Sequence, residues 1–204
     1  MAFTSHSSPA AIFVLFLFTT HLNNFLSARK ILSSEFDTDT DTNFIRTSCN
    51  ATTYPDLCFA TFSSYASEIQ ANPKMLATKS LTLALNTTLS ASQTLTDLCK
   101  TQGLKPNEAA ALHDCVEEIS DSADEFTRSI SEMEEIQGKS FAFRMSDVET
   151  WVSAALTDED TCMDGFSENA MDEDIKAAVT TAMEKVAQMT SISLSFVNQY
   201  AGSK

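Results

Sequence analysis

Apolar side chains recur at alternating steps of four and three along most of this chain. After Pro106 the row runs Leu112, Val116, Ile119, Ala123, Phe126, Ile130 and Met133. The last segment repeats it with Ile175, Val179, Ala182, Val186, Met189, Ser193, Phe196 and Tyr200. Between Pro73 and Cys99 a looser row contains Leu81, Leu85, Leu89, Ser92, Leu95 and Cys99. A fourth stretch supplies Val148, Trp151, Val152, Ala155 and Leu156, and the "SDVE" spacing of Ser146 and Glu149 predicts its start by a capping box. Each row is the single apolar stripe of an amphipathic helix.

Four one-sided helices bury their stripes most economically against one another. The prediction is an all-α fold, an up-down-up-down four-helix bundle over residues 73–200. Ahead of it, residues 44–66 read as a short helical hairpin turning near Pro55, so that one domain spans 44–204. Glycine and proline are too sparse for a sheet protein: beyond Pro9 there are only Gly103, Gly138, Gly165, Gly202, Pro55, Pro73 and Pro106. Residues 29–43, "RKILSSEFDTDTDTN", lack a stripe and are expected to form a flexible acidic and polar tail. Residues 1–28 contain the uncharged apolar run "AAIFVLFLFTT" and small residues near Ala28, the pattern of a removed secretory signal. The predicted location is therefore extracellular.

Charge narrows the choice of partner. The chain carries 28 acidic and 13 Lys or Arg residues, a formal net charge of −15. Residues 1–28 contain none of these, so the imbalance belongs to the mature protein. Such a chain is repelled by nucleic acid and by acidic polysaccharide, and attracted to basic protein surfaces. On the helix after Pro106, Glu117, Asp121 and Asp124 share one face roughly opposite the apolar stripe.

Catalytic chemistry has little to build on. Of three histidines only His113 follows the signal, on the edge of a helical stripe. There is no Cys-x-x-Cys, no histidine pair one turn apart, no EF-hand loop and no glycine-rich phosphate loop. The reading is a protein without catalytic residues, metal or cofactor. Asn50 ("NAT") and Asn86 ("NTT") begin N-glycosylation sequons that an exported chain can use.

Five cysteines in an oxidising compartment imply disulfides and one odd thiol. Cys99 lies on the apolar row of its segment and is expected to be a buried free thiol. Cys49 and Cys58 flank the hairpin turn, as suits a local clip, leaving Cys115 and Cys162 to tie two bundle helices. Other pairings remain open on this reasoning.

Three stretches, "CNATTYPDLC", "ALHDCVEEISDSADEF" and "DVETWVSAALTDEDTCMDGF", resemble the plant invertase and pectin methylesterase inhibitor family. The similarity runs from about Phe44 to Tyr200. It implies a four-helix bundle behind a helical hairpin, with bridges Cys49–Cys58 and Cys115–Cys162. It implies no enzymatic activity, but a protein that covers the active-site cleft of its target, one inhibitor to one enzyme. Where invertase inhibitors carry Pro-Lys-Phe, this chain reads Met145-Ser146-Asp147, and the wording is closer to inhibitors of pectin methylesterase. Carried over residue by residue, the family's contact positions fall on Glu117, Asp121, Asp124, Thr161 and Asp164. One further contact position is held here by Thr157 rather than an acid. The resemblance thus implies a secreted inhibitor of pectin methylesterase in the cell wall, with acid invertase as the alternative target.

Overall fold

The computed structural model describes residues 39–136, 140–166 and 171–203. The expected signal (1–28) and residues 29–38 of the expected tail lie outside these. Residues 39–43 of that tail are already helical and belong to the first helix, α1 (39–49). They are half-buried or exposed, while Ile45 and Cys49 are fully enclosed. The helix thus extends beyond the residues that anchor it, which a stripe search does not detect.

After α1 come α2 (Pro55–Phe62), a 3-10 turn (Ser63–Tyr65) and the single turn α3 (Ala66–Ile69). Four long helices follow: α4 (Pro73–Leu98), α5 (Pro106–Glu135), α6 (Phe141–Asp164) and α7 (Glu173–Gly202). Their boundaries have local causes. Asn72 accepts from the N–H groups of Lys74 and Met75, and Pro73 takes the first helical position, where no N–H is needed. Asp172 accepts from Asp174 and Ile175 in the same way at α7. At α5 the carboxylate of Glu108 takes the Lys105 N–H at 2.8 Å and the Asp172 N–H at 2.7 Å, locking two helix entries together. Those two N–H groups and the Lys105 ammonium hold Glu108 below the usual carboxylate range, the Lys105 N–H most strongly.

In the bundle α5 packs on α4 and α6, and α7 packs on the same two. The four helices are therefore a square, with the α4–α7 edge opposite the α5–α6 edge. Cys49 and Cys58 are bridged, with Cα atoms 5.6 Å apart, and clip α1 to α2. This hairpin caps one end of the square. Ile45, Cys58, Phe62 and Ile69 join one apolar cluster with Leu81, Phe126, Val152 and Phe196. Phe62 meets Phe196 edge to face, with centroids 5.4 Å apart. Gln199 donates to the Ser48 carbonyl and secures the same contact. At the other end a second cluster holds Leu95, Leu112, Cys115, Ile119, Cys162, Phe166, Val179, Met183 and Val186.

Three details depart from the sequence reading. Along α4 the buried residues are Leu76, Ala77, Ser80, Leu81, Ala84, Thr88, Ala91 and Leu95, whereas Leu89 is 52% exposed. The expected row followed the largest side chains. The helix instead turns small ones inward, and the hydroxyls of Ser80 and Thr88 bond to carbonyls of their own helix. Cys99 is free but exposed, not buried. Helix α4 ends at Leu98 and the chain turns there, with the Lys100 and Thr101 N–H groups donating to Asp97 and Leu98, so the stripe does not reach it. Finally, α6 begins at Phe141 rather than at Ser146, which is interior and accepts from Thr150. Arg144 holds the earlier turn by pairing at 2.9 Å with both Glu132 and Glu135 of α5, and Met145 is buried.

Not every acid lies on a polar face. Glu159 is 1% exposed, between α6 and α7, and burial is the main cause that pushes its carboxyl up to about 8. The Thr190 hydroxyl oxygen lies 2.5 Å from Glu159 Oε1 and 2.9 Å from the Val186 carbonyl oxygen. One hydroxyl hydrogen cannot serve both. A protonated Glu159 resolves the conflict by donating to Thr190, which frees the threonine hydrogen for Val186.

Candidate functional site: the α5–α6 face

Helices α5 and α6 run antiparallel in a fixed register. Cys115 is bridged to Cys162, with Cα atoms 4.4 Å apart. Two turns along, the buried Ser122 hydroxyl lies 3.2 Å from the Ala155 carbonyl oxygen and 3.1 Å from Asp158 Oδ2. These pairings set the level of every outward residue. Thr161 and Asp164, beside Cys162, stand level with the turn that carries His113 and Glu117. Asp121 lies one turn further along, and Asp124 about 10 Å beyond the level of Glu117 at 1.5 Å per residue. All five sequence-predicted positions, Glu117, Asp121, Asp124, Thr161 and Asp164, are exposed. They form an elongated strip rather than a pocket.

The groove beside this strip holds three acids that sequence reasoning passed over. Glu118 and Glu125 are half-buried on α5, and Asp158 is half-buried on α6. Glu125 is pushed up to about 7, first by burial, then by the charge of Asp158. Glu118 is raised by burial and by Asp158, Asp121, Asp114 and Glu117. Asp158 is raised by burial and by Asp121, while the Ser122 hydroxyl acts in the opposite sense. The signal was available: Glu118 and Glu125, two turns apart, lie on one side of α5 between the outer ridge and the core stripe. What the sequence could not give was which neighbouring helix lies on that side.

The strip also carries hydroxyls. On the outward side of α6, Thr150, Ser153, Thr157 and Thr161 each donate to the carbonyl four residues earlier, at 2.7–3.1 Å. Thr157, which stands where the resemblance implied an acid, is exposed and belongs to this row. His113 Nδ1 lies 3.7 Å from Glu117 Oε1, both side chains being largely exposed. Ligand-type atoms of His113, Asp114 and Glu117 lie within 4.8 Å of one another, the one such group among the described residues. All three side chains stand open to solvent. The arrangement is suited to receiving cationic and hydrogen-donating side chains over an extended area.

Comparison with known proteins bears on this geometry. A sequence profile of the plant invertase/pectin methylesterase inhibitor family matches residues 43–196. The chain is 49% identical over 161 residues to a 21 kDa protein of Daucus carota, covering 78% of this chain and 83% of that one. It is 43% identical over 175 residues to pectinesterase inhibitor 10 of Arabidopsis thaliana, covering 84% of this chain and 55% of the relative. Among solved structures, a mutant form of a pectin methylesterase inhibitor from Arabidopsis superposes with a TM-score of 0.60 at 19% identity, over 74% of this chain and 92% of that one. At that identity the superposition speaks for the fold: a helical hairpin capping four antiparallel helices. By its profile match and its relatives, the chain belongs to the plant invertase/pectin methylesterase inhibitor family.

Proposed function

We propose that this protein is an inhibitor of pectin methylesterase that lays its α5–α6 face over the enzyme's active-site cleft and so controls demethylesterification of pectin. The observation that carries the reading is the acidic strip of Glu117, Asp121, Asp124, Thr161 and Asp164, pinned by Cys115–Cys162, on a chain whose relatives include a pectinesterase inhibitor. Inhibition here is occupancy. The strip offers carboxylates and hydroxyl oxygens to a basic rim, and no bond is made or broken. The stoichiometry is one inhibitor to one enzyme, each inhibitor presenting its α5–α6 face to one cleft. The site of action is the cell wall, consistent with the apolar leader pattern in residues 1–28. Among the described residues no helix is long and apolar enough to cross a membrane.

Acid invertase is the less favoured target. At the position where invertase inhibitors carry Pro-Lys-Phe, Met145 is buried inside α6 and only Ser146 is fully exposed. Titrating the purified protein against a basic plant pectin methylesterase and an acid invertase, side by side, tests the proposal. Stoichiometric loss of pectin demethylesterification with invertase untouched is expected. Invertase inhibition with unchanged pectin methylesterase would overturn it.

A further inference from the structure

The face opposite the acidic strip carries a second feature. Along the α4–α7 edge, small residues at Ala91, Ala178 and Ala182 leave an open trough of about 540 Å³, closed at one end by Leu57 and Thr61 of α2. Its floor is apolar, with Leu83 and Met189, and its rim is polar, with Thr87, Ser90, Thr181, Lys185 and Gln188. Asn86 is exposed, stands on this rim and begins the sequon Asn86-Thr87-Thr88. An apolar floor beneath hydroxyl, amide and ammonium groups suits a sugar ring, which offers C–H bonds on its faces and hydroxyls around its edge. Thr88, the residue whose hydroxyl completes the sequon, is fully buried and bonds to the Ala84 carbonyl oxygen at 3.0 Å.

We propose that Asn86 is N-glycosylated and that the inner sugars of this glycan lie in the α4–α7 trough. In the transfer the Asn86 carboxamide nitrogen attacks the anomeric carbon of a lipid-pyrophosphate oligosaccharide. The C–N bond forms as the bond to pyrophosphate breaks, lipid pyrophosphate departs with the electron pair, and the amide proton passes to a base of the transferase. The order of events follows from Thr88. Its hydroxyl cannot be read once α4 has packed, so the sugar is attached while this segment is still unfolded, during entry into the secretory route. Because the trough lies on the edge opposite α5–α6, the glycan leaves the acidic strip open. That last point rests on the function proposed above; the modification itself does not.

The test is secretion of the full chain, with its own leader, from cultured plant cells. Treatment with a peptide N-glycosidase in 18O water should convert Asn86 to labelled aspartate in the peptide map, with the Asn86 peptide losing the mass of one glycan. Both the Asn86→Gln and Thr88→Val variants should lack that loss; Thr88→Val keeps the acceptor asparagine and the buried volume. An unlabelled Asn86 in the secreted protein overturns the proposal. For the seat, nuclear Overhauser contacts from the two innermost N-acetylglucosamine residues to the Ala182 and Met189 methyl groups are expected, and a freely tumbling glycan without them overturns it. Asn86→Gln should inhibit pectin methylesterase within twofold of the glycosylated protein. Inhibition equally absent from both forms would refute the proposed function and leave the glycan standing. A change of tenfold or more in a working inhibitor would refute the separation of the two faces.

Discussion

The two ends of the bundle are held by different physics. At the hairpin end, large aromatic and branched side chains enclose one another: Phe62 against Phe196, Ile45 and Ile69 against the bundle, and Phe141 edge to face with Tyr200. The Cys49–Cys58 bridge closes only a short loop, so by the loop-entropy account it adds about 2.5–3 kcal/mol to a cluster that is already cohesive. Toward the other end, α5 and α6 carry like charges on neighbouring faces, from Glu118, Asp121 and Asp158. There Cys115–Cys162 bridges 47 residues of sequence and holds together two helices whose outer faces repel. One end is stable because of what it buries. The other is kept in place so that it can expose what would otherwise push apart.

The contrast predicts an ordered set of losses. Replacing both Cys115 and Cys162 by serine should cost about 4 kcal/mol of stability. It should also weaken inhibition even where helical circular dichroism is retained, because the register of the strip is lost. Equal inhibition by the folded double variant would show that the bridge does not organise the site. Phe62→Ala should cost about 3 kcal/mol through the cavity it leaves. Its dissociation constant for the enzyme, measured well below its melting temperature, should be unchanged; a large change would join the two ends energetically.

Glu159 sharpens the comparison through pH. Its folded value of about 8 stands above the ordinary 4.5, so the protonated form is the one the fold prefers. The stability it contributes is complete below about 4.5 and is lost progressively as pH rises through about 8, by at most about 1.4 kcal/mol per pH unit. Glu125, raised to about 7, acts in the same direction. The melting temperature of the wild type should therefore fall between pH 5 and pH 8, and Glu159→Gln should flatten that fall. An unchanged slope would remove Glu159 from the account. The smallest effect concerns the strip alone. Glu117→Ala with Asp121→Ala should weaken inhibition roughly tenfold, about 1.4 kcal/mol, without lowering the melting temperature. Added salt should weaken the wild type more than the variant.

Much of this architecture was legible in the order of residues. The stripe from Leu112 to Met133 and that from Ile175 to Tyr200 are long enough for their period to define a face, and the outward positions of Glu117 and Asp124 follow from it. The buried face of α4 is not legible from side-chain size, because a leucine looks more buried than an alanine or a threonine. The bundle reverses that at Ala84, Thr88 and Leu89. The start of α6 depends on Arg144 reaching across to α5, a contact between residues that no local pattern links. Glu118, Glu125 and Asp158 were overlooked for the same reason: each is an unremarked acid until a second helix lies beside it. Glu159 violates the rule that charges stay outside, and only its tertiary surroundings reveal that it is held as a neutral acid.

The row of Thr150, Ser153, Thr157 and Thr161 has one more consequence. Each hydroxyl spends its single hydrogen on a carbonyl of its own helix. What each turns to the solvent is lone pairs, as the carboxylates of α5 also do. The strip therefore speaks in one hydrogen-bonding voice, accepting along its length and donating almost nowhere. A partner surface is then selected by how many N–H and O–H groups it can aim, and a loop lined with carbonyls or acids is refused whatever its shape. Threonine in place of an acid, as at Thr157, keeps that polarity while lowering the charge, so affinity can be moderated without changing which surfaces are recognised.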